Sequence, residues 1–130
     1  MFLNCQLAGT VMGFPDVLLL PAPPSPSLMP TPFLNSAMRA ASPPTQTLVT
    51  IAAGPMQTLL AKIPVTTGGA GGPGIASGTM MSLCQSTGAS TLVFILGMPV
   101  TRMVDMCLSN LTNLPSANIC PSQSLVMALA

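Results

Sequence analysis

Five side chains of the 130-residue sequence carry full charge, Asp16, Arg39, Lys62, Arg102 and Asp105, and four more are thiols, Cys5, Cys84, Cys107 and Cys120. These are the groups with which the chain could do chemistry, because it contains no His, Glu, Tyr or Trp. General acid-base catalysis needs a titrating group within reach of the proton it moves, and the two carboxylates lie far apart in sequence. Asp16 sits in a Phe-Pro-Asp turn sequence, and Asp105 follows Arg102 by three residues, a spacing at which each charge can satisfy the other. Arg102 and Asp105 are therefore expected to form a structural polar pair, and no catalytic residue is assigned. A cysteine nucleophile would need a neighbouring base, and none is evident, so an enzyme is not expected.

The four cysteines lack the C-x-x-C spacing of structural zinc sites. They can be free and buried, as Cys often is. They can form a metal site from residues distant in sequence, with Cys84, Cys107 and Cys120 as thiolate ligands and zinc as the ion. They can also form disulfides, with Cys107 and Cys120 the nearest pair. Gly69 to Gly74 formally fits the G-x-G-x-x-G pattern of dinucleotide sites, but no long helix can open through Pro73 and Gly74, and no acidic residue follows about 20 residues on. Asn110-Leu111-Thr112 is a glycosylation sequon by pattern, without a secretory context to give it weight.

The rest of the chain must be a scaffold of low charge. Charged residues make up 4% of the sequence and apolar ones 49%, against roughly 25% charged in an ordinary soluble domain. Net charge near zero favours association, so the expected state is assembled with a partner. A membrane helix needs about 18 to 20 apolar residues. The longest candidates, Val17 to Leu20, Thr91 to Val100 and Ser124 to Ala130, are strand-length. A small membrane-active protein is thus the weaker alternative. Met1 to Asp16 has no positive n-region and shows no secretory signal. Three scattered cations and no Trp or Tyr leave nucleic acid without a binding surface.

Fifteen Pro and eleven Gly leave little room for helix; Leu7 to Met12 and Asn35 to Ala41 are the plausible helical turns. Thr47 to Ile51, Thr91 to Leu96 and Ser124 to Ala130 read as strands, and they resemble one another. Thr47 to Pro55 aligns without a gap on Thr91 to Pro99, and Pro121 to Val126 repeats Pro44 to Val49 with Ser for Thr. Pro21 to Pro32 is expected to be extended polyproline II, and Gly68 to Gly74 a flexible or tightly turning loop, both connecting the strands of a single domain over residues 1–130. The fold class is all-β with little helix.

Five segments taken in order, Met12 to Val17, Pro21 to Phe33 with Asn35, Ser77-Gly78-Thr79, Gly97 to Asp105, and Pro121-Ser122-Gln123, resemble the PAAR-like proteins that tip the spike of type VI secretion systems and related contractile injection machines. Gly97 to Asp105 is similar to the family's Gly-x-Pro-Ala-x-Arg signature, with Val100 in place of Ala. The resemblance implies a small cone-shaped, Pro/Gly-rich β domain that caps and sharpens a trimeric, VgrG-like β-helical spike protein, one chain per trimer. Three related strands supply three near-equivalent faces for such a partner, and strand-rich ends can add to its open strands. Thr47, Leu48, Val49, Thr91, Leu92, Val93, Ser124, Leu125 and Val126 are the expected partner-binding residues. The resemblance also implies assembly in the bacterial cytoplasm, expulsion toward a target cell with transient membrane contact, and carriage of a toxin effector or adaptor. With no residues beyond Ala130, that toxin is expected to bind as a separate chain. PAAR proteins proper often hold zinc through histidines, so any metal here would fall to cysteine. Leu18 stands where PAAR-like relatives often have Cys.

Overall fold

The computed structural model describes all 130 residues. Its longest elements are β1 (Thr10–Pro21) and β2 (Leu28–Met38), an antiparallel hairpin that runs from Thr10 opposite Met38 to Pro21 opposite Leu28. A bulge between Gly13 and Asp16 interrupts the register, where Pro15 cannot donate to a ladder. Four further strands, β5 (Lys62–Ile63), β6 (Cys84–Ser86), β9 (Met106–Ser109) and β10 (Leu114–Cys120), complete a six-stranded sheet in the order β2-β1-β10-β9-β6-β5. All its pairings are antiparallel. Val11, Ala37, Ile63, Cys84 and Cys107 form its buried apolar cluster. Two small hairpins, β3 (Thr50–Ile51) with β4 (Gly54–Pro55) and β7 (Phe94–Ile95) with β8 (Met98–Pro99), stand outside this sheet.

The chain is all-β, as its composition predicts. The expected helical turns are different: Leu7 to Met12 runs into β1, and Asn35 to Met38 ends β2, leaving one 3-10 turn at Arg39–Ala41. Cross-strand pairing over ten residue pairs outweighs a weak local preference. The proline-rich segment is likewise a hairpin and not free polyproline II. Val17 accepts a hydrogen bond from Ile75 N–H, and Leu19 N–H donates to Pro73, so these two groups face away from β2. Their cross-strand partners Pro32 and Pro30 then direct their nitrogens to the outer edge of β2. Proline there removes the donors that a further strand would need, which blunts the edge.

The glycine-rich segment is packed, not loose. Gly74 bridges to Leu18, and a Cβ on Gly72 would stand 1.7 Å from the Leu19 carbonyl oxygen. Glycine is required there because the backbones touch.

Candidate docking face

The two small hairpins have a third counterpart that no continuous segment supplies. Residues 124–130 run beside the first residues of the chain: Phe2 pairs with Met127, and Ala128 N–H donates to Met1 at 2.8 Å. In the three hairpins the same bond recurs, from Met56 N–H to Val49 at 3.1 Å, from Val100 to Val93 at 3.2 Å and from Leu3 to Val126 at 3.1 Å. The next residues close a ring. Asn4 N–H donates to the Thr101 carbonyl at 3.0 Å, Thr101 to Gln57 at 3.1 Å, and Gln57 back to Asn4 at 2.9 Å. A second ring lies alongside, with Gln6 donating to Pro55, Leu59 to Pro99 and Met103 to Phe2. Three hairpins so joined are related by a pseudo-three-fold axis.

Sequence dictates this local structure. Ala52 and Ala53, and Leu96 and Gly97, have positive φ, the two-residue turn that matches strand twist in a hairpin. Gln46 braces the first repeat: its Oε1 accepts from Val49 N–H at 2.8 Å, and its Nε2 donates to Val49 and Met56 carbonyls. Gln123 does the same in the third, accepting from Leu125 and Val126 and donating to Val126 and Leu3. Ser90 takes the place of glutamine in the second, its Oγ accepting from Val93 at 3.0 Å. Behind the hairpins, Leu3, Met56 and Val100 occupy equivalent positions in one buried cluster, as do Ile51 and Ala128, with Ile95 half-buried against it at the matching place.

The expected partner-binding residues fall at equivalent places on this face. Leu48, Leu92 and Leu125 are 76%, 74% and 74% exposed, a degree of exposure unusual for leucine and nearly equal three times over. Thr47, Thr91, Ser124, Val49 and Val126 are exposed too, and Val93 is half-buried. No charged side chain lies in any of the three hairpins. The first residues of the chain, which complete the third hairpin, were not among those expected; their match to the strands at Met56 and Val100 is too short to find by alignment.

Arg102 and Asp105 form the expected pair. Arg102 Nη2 and Nε reach Asp105 at 3.1 and 3.3 Å, and Arg102 N–H donates to Asp105 Oδ2 at 2.7 Å. Asp16 is fully buried among amides, accepting from Asn35 Nδ2 at 2.6 Å, from Asn110 at 3.5 Å and from Asn113. It therefore ties β1 and β2 to the turn after β9. Asn110 is itself fully buried, which keeps the sequon from an enzyme in the folded chain.

The three cysteines expected as zinc ligands do not converge. Cys84 and Cys107 are buried neighbours on β6 and β9, whereas Cys120 is exposed, and no group of three His, Cys, Asp or Glu side chains could hold a metal. Cys107 lies opposite Ser116, so Cys120 is four residues, about 13 Å, further along β10. The same separation excludes the Cys107–Cys120 disulfide, and all four cysteines are free. The hydrogen bond from the Cys84 thiol, helped by the Arg39 guanidinium and Ser86 and opposed by burial, pulls Cys107 down to about 6. Cys84 is pushed well above the ordinary thiol range by that hydrogen bond and by burial. Arg39, which sequence reasoning passed over, is buried at their side and is lowered by desolvation.

Residues 9–116 match the family model of the toxin PAAR-like domain, a stretch that takes in the first two hairpins, Asp16, Arg39 and the Arg102–Asp105 pair. Neither the curated proteins nor the solved structures returned a match to the chain. With well over half of its length matched, the chain belongs to the PAAR-like toxin domain family.

Proposed function

We propose that this chain is a non-catalytic spike-tip part of a type VI secretion or related contractile injection machine, seated through its three hairpins on the end of a trimeric, VgrG-like β-helical spike protein. The observation that carries this reading is the pseudo-three-fold face itself, with Leu48, Leu92 and Leu125 almost equally exposed around a closed ring of backbone hydrogen bonds. A single chain can meet three identical subunits only through three like surfaces. Apolar, uncharged contacts suit a large permanent interface.

The hairpin of β1 and β2 leads away from this ring. Met38 lies next to Arg39, whose Nη1 donates to Gln57 on the axis, and the strands run roughly 36 Å from there to the Pro21 end. That end carries Leu28 and Met29 exposed and no charge between Val17 and Met38. It suits transient contact with a target membrane after expulsion from the bacterial cytoplasm. A toxin effector or adaptor would travel with the assembled tip.

Co-expression with a trimeric β-helical spike protein, followed by native mass spectrometry, tests the reading. One chain per three spike subunits is the expected stoichiometry; three chains per trimer, or no complex, would overturn it.

A further inference from the structure

We propose that Cys107 is a thiolate in the folded protein and serves as the counter-charge of Arg39, so that a buried sulfur–guanidinium ion pair joins the six-stranded sheet to the three-fold face. Arg39 is 1% exposed. Its Nε donates to Asn118 Oδ1 at 2.8 Å, its Nη1 to Gln57 Oε1 at 3.1 Å, and its Nη2 to Ser86 Oγ at 2.9 Å and to Cys107 Sγ at 3.3 Å. No carboxylate is among these partners. Asp105 is engaged by Arg102, and Asp16 by asparagine amides. A guanidinium taken out of water without a counter-charge is strongly unfavourable, and the sulfur of Cys107 is the group at hand that can supply one.

The surroundings of Cys107 favour the anion. Besides Arg39, its sulfur faces Ser86 Oγ at 3.6 Å and Asn118 Nδ2 at 3.7 Å. Arg39 Nη2 and Asn118 Nδ2, which can only donate, and the Ser86 hydroxyl, which can, all turn toward one sulfur and suit an acceptor. A protonated Cys107 would give its hydrogen to the Asp105 carbonyl at 3.7 Å and leave the guanidinium unpaired. The titratable groups around it are Cys84 on β6, Asp105 just before β9 and Arg39 itself; β10 contributes Asn118, which does not titrate. The depressed Cys107 pKa agrees with this arrangement. Cys84 keeps its proton; its own approach is from Ser109 at 3.5 Å, with no cation in contact.

The test is an ultraviolet titration of thiolate absorbance on the folded chain, from alkaline to acid, with folding followed by circular dichroism. The absence of Tyr and Trp leaves the thiolate band free of ionising aromatics. One thiolate should persist down to a midpoint of about 6, and the unfolded chain should show no such step. C84A should move the midpoint upward, because it removes the neighbouring thiol that lowers Cys107, and C5S and C120S should leave it in place. C107S should abolish it; should C107S not fold, the Cβ carbon shift of Cys107 in the unsubstituted chain gives the same midpoint by nuclear magnetic resonance. A folded chain with no thiolate at neutral pH, or a neutral-pH thiolate that C120S or C5S removes, would overturn the ion pair.

Discussion

Leu3 N–H donates to the Val126 carbonyl at 3.1 Å, and this contact between the two ends of the sequence builds the third hairpin. The same bond joins Met56 to Val49 and Val100 to Val93, so the three-fold face depends on a long-range pairing as much as on two local turns.

Charging the face should separate binding from folding. L48D, L92D and L125D together are expected to abolish association with a trimeric spike protein, each alone to weaken it. Because all three side chains point to solvent, stability should change by no more than about 0.5 kcal/mol per site. Analytical ultracentrifugation reads the first effect and urea unfolding the second.

Gln123→Ala removes four hydrogen bonds that brace the third hairpin and leaves buried backbone groups unpaired. A loss of about 2 kcal/mol is expected. Hydrogen exchange should quicken first at Leu3 and Val126 and spare the hairpin at Thr50, whose own brace is Gln46.

Two glycines distinguish backbone contact from backbone conformation. Gly72→Ala must push the glycine-rich segment off Leu19, at a cost of roughly 2–3 kcal/mol. Gly78→Ala meets open space at φ +68° and should cost about 1 kcal/mol. Equal melting temperatures for the two variants would contradict this packing.

Asp16→Asn should destabilise the chain by about 2–3 kcal/mol, since asparagine amides now facing a carboxylate would meet a neutral group with its own donors. Equilibrium unfolding against the unsubstituted chain measures it.

Stability should also vary with pH. Cys107 is depressed from 9.0 to about 6 in the folded chain, so in that window the unfolded chain binds more protons. Stability therefore rises with pH between about 6 and 9 and is lost as pH falls through about 6. Cys84 is raised and acts in the opposite sense, lowering stability above about 9. Thermal melts across this range should peak near the upper end of the window, and in C107S the rise between 6 and 9 should disappear.

Sequence alone was enough for the all-β class, the likeness of the three repeats and the Arg102–Asp105 pair. Each rests on local information: proline and glycine punctuation, β-branched runs, and an i,i+3 spacing. The zinc ligands and the helical turns failed because both depend on register. Which cysteines meet follows from Cys107 standing opposite Ser116 and Cys120 lying four residues beyond. Asp16, Asn110 and Asn113, and likewise Arg39, Gln57 and Cys107, share no motif; they meet because strands from distant parts of the chain close over them. The sequence by itself determined three similar apolar strand segments without a charged side chain. Only the tertiary structure decided that Met1 to Asn4 completes the third of them and that the three form a ring, because antiparallel pairing between distant segments is fixed by the packing of the whole chain and not by any stretch within it.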